Sequence, residues 1–168
     1  MIFIGIDPGK SGFTAILRPS GTVNCIATPT VKSGKKNAYD EAGMRRALLE
    51  VWHTPHPVVE TDLFCTIERQ QAYPKQGAVS NFSTGEGFGL WKGLLLGMRV
   101  PFEVVTPQAW KKAMLAGTAK DKGASIVKAG ELFPGVDLRR TERCKGPSHD
   151  KAEALLIAEF GRRLKAGL

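Results

Sequence analysis

The feature that most constrains this chain is the order of its apolar runs, three set close together at the start and two set further apart later. The first three, Ile2–Asp7, Gly12–Leu17 and Thr22–Ala27, are short and separated by Gly- and Pro-containing turns, which predicts adjacent antiparallel strands. Leu63–Ile67 and Phe102–Val105 are continuous apolar runs, typical of strands buried on both faces. Because these later strands alternate with helical patterns, we expect an α/β fold whose mixed sheet has three antiparallel strands followed by two parallel ones.

Apolar residues recur at helical spacing in the segments between and after these strands. One amphipathic helix is predicted around Met44–Trp52 and others over Ala109–Leu115 and Asp121–Phe133. A serine N-cap at position 148 predicts a last helix that runs through about Leu164 and has Asp150 in its first turn. The polar, basic segment 32–37 is predicted to be a loop.

Length and charge limit the class of protein. The chain has 168 residues and a formal net charge of +8, and we expect residues 1–168 to form a single domain. Residues 1–68 hold seven basic and seven acidic side chains, so the whole basic surplus lies in residues 69–168, which favours a polyanionic partner. No apolar run approaches the roughly 20 residues of a membrane span, and no secretory signal is recognisable, so we expect a cytoplasmic location. The three cysteines have neither disulfide nor zinc-site spacing.

Acidic side chains stand at the ends of three predicted elements. Asp7 ends the first strand, Glu68 ends the fourth, and Asp150 and Glu153 lie three residues apart on one face of the last helix. If these four carboxylates, here called the acidic quartet, meet in space, they repel one another strongly. Divalent cations would offset that repulsion, and hard oxygen ligands suit Mg²⁺ or Mn²⁺. Two such ions would support hydrolysis of a phosphodiester bond.

Glycine recurs every fourth residue in the helical segment before the fifth strand. The four positions, here called the glycine stripe, are Gly85, Gly89, Gly93 and Gly97. Each glycine inside a helix costs up to about 1 kcal/mol relative to alanine, so the stripe predicts close packing of backbones. Packing within the chain and a dimer seam are both open, and we favour the seam.

Four sequence motifs, in the same order and at similar spacing, resemble those of RuvC, a Holliday-junction resolvase family of the RNase H-like superfamily. They are Gly5-Ile6-Asp7-Pro8-Gly9, Thr66-Ile67-Glu68, the lysine-bearing segment Pro107–Lys122, and His149–Leu155. The resemblance implies an RNase H-like fold, a homodimer, two divalent metal ions and catalytic, metal-binding roles for the acidic quartet. The family's fourth acid is usually aspartate, whereas here it is Glu153. Some members have histidine at the third position, so His149 is an alternative there to Asp150.

The resemblance also implies cleavage of branched DNA. Lys111 and Lys122 would lie near the scissile phosphate, and further predicted DNA contacts are Lys112, Arg69, Tyr73, Lys75, Arg143 and Lys145. The family often has an aromatic residue three positions after the central glutamate, whereas here Tyr73 is displaced from that position. We therefore expect a phage-type enzyme with broader preference, with forks and flaps as further substrates. The alternative is a non-catalytic junction-binding module with a decayed site. Actin-like kinases are disfavoured, because they need two such domains to close on a nucleotide and 168 residues supply one.

Overall fold

The computed structural model describes residues 1–52, 57–118 and 123–168, and its order of elements follows the predicted order of strands and helices. The strands are β1 (Ile2–Ile6), β2 (Phe13–Leu17), β3 (Val23–Ala27), β4 (Thr30–Ser33), β5 (Lys36–Tyr39), β6 (Leu63–Glu68) and β7 (Phe102–Val105). The α-helices are α1 (Glu41–Leu49), α2 (Ala78–Gly97), α3 (Pro107–Met114), α4 (Ala124–Leu132) and α5 (His149–Ala166). Single 3₁₀ turns occupy Glu50–Trp52 and Glu60–Asp62.

Five strands form one mixed sheet in the order β3-β2-β1-β6-β7. β1 pairs antiparallel with β2, and β2 pairs antiparallel with β3. β6 lies parallel to β1 and β7 lies parallel to β6. The predicted α/β class, with three antiparallel strands and then two parallel ones, is confirmed.

Helices cover both faces of this sheet. On one face, α1 and α2 pack on alternate residues of β1 such as Ile2, Ile4 and Ile6, around the fully buried Trp91. On the other face, α3, α4 and α5 pack on β2 around Trp110. Because side chains alternate along a strand, β1 gives its isoleucines to the first face and turns Phe3 and Gly5 to the second.

The segment predicted as a polar loop is a hairpin. Lys32–Asn37 contributes to β4 and β5, which pair antiparallel through a turn at Gly34, whose φ is +59°. The prediction of a loop is wrong because hydrophobic patterning does not detect a short two-stranded ribbon whose side chains are mostly exposed. Tyr39 anchors the ribbon, since it is buried and its hydroxyl donates to the Ser83 carbonyl oxygen of α2 at 3.3 Å.

The last helix has the tightest contact with the sheet. A side chain at Gly5 would collide with backbone atoms of Ala154 and Ala158, so this glycine lets α5 lie directly on β1. Gly161 has the same role further along α5, where a Cβ atom would collide with Thr66 of β6. The contact fixes the first turn of α5 above the carboxyl ends of β1 and β6. No helix in the described residues is long and apolar enough to cross a membrane.

Candidate active site

Asp7 and Glu68 lie side by side at one edge of the sheet. Ile6 of β1 is paired in parallel register with Ile67 of β6, so the next residues of the two strands are neighbours. Alternation along the strands turns both carboxylates to the face covered by α5. Glu68 is 7% exposed, and Asp7 is partly buried next to the turn that Gly12 closes. Two acids 61 residues apart in sequence are thus brought together by strand register.

The other two carboxylates come from the first two turns of α5. The Ser148 hydroxyl accepts from the Lys151 amide at 3.3 Å, so the predicted N-cap is confirmed and α5 begins at His149. Asp150 lies in the first turn, and Glu153, 8% exposed, lies one turn further along. The close approach of α5 to Gly5 carries these acids to the edge where β1 and β6 end.

The other three carboxylates of the quartet are close enough to Asp7 to raise its pKa. Burial raises the pKa of Asp7 from 3.8 to about 7, and the negative charges of Glu68, Asp150 and Glu153 add to the increase. The pKa of Glu68 is also raised, first by burial and then by Glu153. The four carboxylates therefore lie in one region of the structure, with Asp7 buried near the negative charges of the other three.

Cations and hydrogen-bond donors surround the quartet. Lys111 Nζ lies 2.6 Å from Glu153 Oε1, and His149 Nε2 lies 3.6 Å from the same oxygen. Arg140 crosses from the loop before α5, donates to the Ser11 carbonyl oxygen at 2.5 Å and lies 3.9 Å from Asp150. The carboxylates of α5 are thus partly neutralised by side chains of the protein itself.

Glu68 has neutral partners on both of its oxygens. The Trp110 indole N–H donates to Oε1 at 2.8 Å, and Gln70 Nε2 donates to Oε2 at 3.0 Å. Trp110 is fully buried and lies in α3 directly before Lys111. These two bonds lower the pKa of Glu68 and partly oppose the effect of its burial.

The donor chemistry of the quartet suits a divalent cation. All four side chains offer hard carboxylate oxygens, and the pKa of Asp7 is raised by burial and then by its three acidic neighbours, both of which a bound cation would offset. Within the described ranges, no three His, Cys, Asp or Glu side chains are arranged so that they would enclose a metal ion as they stand. Lys111 instead takes up an oxygen of Glu153. A cation held by that oxygen of Glu153 would have to displace Lys111 from it.

The predicted DNA-contacting residues that the structure describes have exposed or half-buried side chains. Arg69, Tyr73 and Lys75 are exposed in the segment between β6 and α2, where Asn81 holds the Tyr73 backbone by two hydrogen bonds of 3.1 Å. Lys112, Arg143 and Lys145 are also exposed, and Lys111 is half-buried against the quartet. Lys122 lies outside the described residues.

The glycine stripe lies on an exposed face of α2. Among the described residues, a Cβ atom at Gly85, Gly89, Gly93 or Gly97 would meet no atom within 4 Å. The alternative of packing within the chain is therefore wrong for these four positions. The glycine of α2 that permits close packing is Gly87, where a side chain would collide with Tyr39. Large apolar side chains share the outward face of the stripe, namely Val79 (71% exposed), Phe82 (74%) and Leu96 (66%).

Comparison with known proteins identifies the fold. Thermus thermophilus RuvC in complex with a Holliday junction substrate superposes with a TM-score of 0.62 at 20% identity, covering 99% of this chain and 96% of that one. A second structure of Thermus thermophilus RuvC gives 0.58 at 19% identity, covering 99% and 97%. The chain therefore has the RuvC fold, which is RNase H-like, as the sequence motifs predicted.

A curated relative is also recognisable from sequence. The chloroplastic Holliday junction resolvase MOC1 of Chlamydomonas reinhardtii is 33% identical over 110 residues, which is 63% of this chain. The chain spans only 12% of the length of that protein. No family model matches the sequence.

Sequence reasoning missed four contributors to the site, namely Trp110, Gln70, Arg140 and the buried Ser125, whose hydroxyl donates to Glu153 Oε1 at 3.4 Å. Trp110 belongs to a quoted motif, but nothing in its spacing says that its N–H points to Glu68. Gln70 directly follows a predicted contact residue, and Arg140 is one of several arginines in a polar loop. A polar residue two positions after a strand-end acid is a usable signal for Gln70, whereas the contacts of Trp110 and Arg140 depend on tertiary packing.

Proposed function

We propose that this protein is a metal-dependent endonuclease that hydrolyses phosphodiester bonds in branched DNA, chiefly Holliday junctions. The observation that carries the proposal is the convergence of Asp7, Glu68, Asp150 and Glu153, expressed in the raised pKa of Asp7. The RuvC fold adds support, since one of the similar structures is a complex with a Holliday junction substrate. A structural role for the quartet is less favourable, because self-repulsion of buried carboxylates destabilises a fold.

The proposed cofactor is a pair of Mg²⁺ ions, for which Mn²⁺ would substitute. Asp7, Glu68, Asp150 and Glu153 would hold them, with His149 as a further candidate. When bound, two such ions activate a water molecule and stabilise the leaving oxygen of the phosphodiester. Lys111, once it has left Glu153, is free to neutralise a non-bridging oxygen of the phosphate. Asp7 must be ionised to act as a ligand, so metal affinity is expected to fall below about pH 7.

DNA binding is proposed to be mostly electrostatic. The strand at the cut would be contacted by Lys111, Lys112 and Lys122. The flanking backbone would be bound by Arg69 and Lys75, with Tyr73 as a stacking surface. The loop before α5 would contribute Arg143 and Lys145. Each phosphate contact adds about −0.9 to the slope of log K against log salt concentration. Backbone contacts carry no base information, so specificity would come from branch geometry.

We propose a homodimer formed through the outward face of α2. Gly85, Gly89 and Gly93 would let two helices approach closely, with Phe82 and Leu96 buried between them. This face exposes the large apolar side chains of Phe82 and Leu96, and none of the residues that the structure describes covers it. A twofold axis there would present two active sites to two strands of a junction.

The direct test is cleavage of a labelled four-way junction with Mg²⁺ and with EDTA. Wild-type protein should cut only with Mg²⁺, and Asp7→Asn should lose at least about a hundredfold in rate, because the site would lose one of the carboxylates proposed to hold the ions. Asp62→Asn is the matched control, since Asp62 is an exposed acid in the 3₁₀ turn before β6. Forks and flaps in the same assay measure the breadth of substrates.

The alternative function is junction binding without cleavage. One observation favours it, namely that Lys111 pairs with Glu153 and that the described side chains do not enclose a metal ion. Tight, salt-sensitive binding with no cutting under Mg²⁺ or Mn²⁺ would establish this alternative. Cutting in EDTA, or undiminished cutting by Asp7→Asn, would overturn the proposed metal-dependent nuclease.

A further inference from the structure

Helix α3 contacts two carboxylates of the quartet with consecutive residues. Trp110 donates its indole N–H to Glu68 Oε1 at 2.8 Å, and Lys111 Nζ lies 2.6 Å from Glu153 Oε1. The start of α3 is fixed because the Thr106 hydroxyl caps it by accepting from the Ala109 amide at 3.2 Å. β7, which ends immediately before that cap, is paired with β6. The distance from α3 to Glu68 is thus set by the sheet.

The two contacts differ in charge. Lys111 is a cation, so it competes with a metal ion for Glu153. Trp110 is a neutral donor, and a carboxylate has about four lone-pair directions, so one N–H bond leaves others available to a cation. Gln70 bonds Glu68 Oε2 at 3.0 Å in the same neutral way.

We propose that Trp110 is a positioning residue for the metal-binding carboxylate Glu68, which it orients through its indole N–H with Gln70 as a second support. This inference rests on the proposed nuclease function and deepens it. A ligand already held in one orientation loses less conformational freedom when a metal ion binds, and its fixed hydrogen-bond partner keeps it directed at the site. Loss of the N–H should therefore weaken metal binding without changing the affinity for DNA.

The chain supplies a matched control for this experiment. Trp91 is also fully buried, and in the described part of the chain its Nε1 has no hydrogen-bond partner. Trp110→Phe and Trp91→Phe remove the same atoms from a buried indole, but only the first removes a bond to Glu68. Mn²⁺ binding to each variant is measured by calorimetry on the full-length, DNA-free protein, alongside the melting temperature.

The expected result is that both variants melt at lower temperature, while Mn²⁺ affinity falls at least fivefold in Trp110→Phe and less than twofold in Trp91→Phe. Junction cleavage by Trp110→Phe should lose kcat at unchanged DNA affinity in EDTA. Gln70→Leu is a second variant outside the core, which should weaken Mn²⁺ binding in the same direction and serves where Trp110→Phe does not fold.

The possible failures are distinguishable. Mn²⁺ affinity in Trp110→Phe within twofold of Trp91→Phe, or in Gln70→Leu within twofold of wild type, would overturn the positioning role while wild-type cleavage leaves the nuclease function standing. Absence of Mn²⁺ binding and of cleavage in the wild-type protein would overturn the proposed function and, with it, this inference.

Discussion

Two helices of this protein use glycine for opposite purposes. Where α5 crosses β1 and β6, Gly5 and Gly161 have no room for a side chain, since an added Cβ would collide with backbone or side-chain atoms. Along the outer face of α2, a Cβ atom at Gly89 or Gly93 would meet no atom of the described residues within 4 Å. The first contact is part of the core and sets the position of the acidic quartet. The second is an exposed helical surface of low helix propensity, which the proposed dimer seam would explain.

Substitution of Gly5, which has no room for a side chain, should lower the free energy of unfolding more than any other change considered below. Gly5→Ala should destabilise the fold by about 3 kcal/mol or more, because the collision is with the backbone of α5, which has no rotamer to adjust. Chemical denaturation measures the loss in the free energy of unfolding. Gly130→Ala is the control, since this glycine of α4 has no atom within 4 Å of the added Cβ. A Gly5→Ala protein as stable as Gly130→Ala would contradict the tight packing of α5.

The open positions should respond in association rather than in folding. The double variant Gly89→Leu, Gly93→Leu should raise the dimer dissociation constant at least about a hundredfold, which is nearly 3 kcal/mol. Leucine is a better helix former than glycine, so the helical signal in circular dichroism should not fall. Analytical ultracentrifugation over a range of concentrations measures the association. A wild-type monomer at micromolar concentration, or an unchanged dimer in the variant, would refute the seam.

The glycines also illustrate what sequence reasoning can and cannot supply. The spacing of apolar runs predicted the sheet, and strand ends predicted the quartet, because alternation and register follow directly from sequence. The periodicity of the glycine stripe was visible, but its direction was not. Gly5 belongs to a recognised motif, but the reason for a glycine there is the backbone of α5, about 150 residues away in sequence. Distance in sequence likewise hides the bond from Trp110 to Glu68, whereas Gln70 is only two residues from Glu68.

The burial of Asp7 in the acidic quartet also predicts how the stability of the fold depends on pH. The pKa of Asp7 is about 7 in the folded protein against 3.8 for the free side chain. Between these values the folded state holds a proton that the unfolded state has released, so this stabilising contribution is complete below about pH 4 and is lost as the pH rises through 7. Asp7→Asn should therefore be more stable than metal-free wild type at pH 8, by about 1–3 kcal/mol.

Thermal unfolding in EDTA at pH 5 and pH 8 measures this difference, which should be larger at pH 8. Adding Mn²⁺ at pH 8 should raise the melting temperature of wild type and have less effect on Asp7→Asn, because bound cations offset the repulsion in the quartet. Equal stability of the two proteins at both pH values would mean that the carboxylates do not interact as the folded arrangement implies.

Replacing glycine by alanine at Gly130 and at Gly89 compares a glycine of α4 with one in the proposed seam, and it should change the free energy of unfolding only slightly. In an isolated helix, glycine to alanine stabilises by up to about 1 kcal/mol, so Gly130→Ala should raise the free energy of unfolding by about 0.5–1 kcal/mol at any protein concentration. Gly89→Ala should give the same gain only at nanomolar concentration. At high concentration the added methyl groups should hold two copies of α2 apart, so the gain disappears. If Gly89→Ala stabilises equally at all concentrations, the outer face of α2 is not a seam between two copies of this chain.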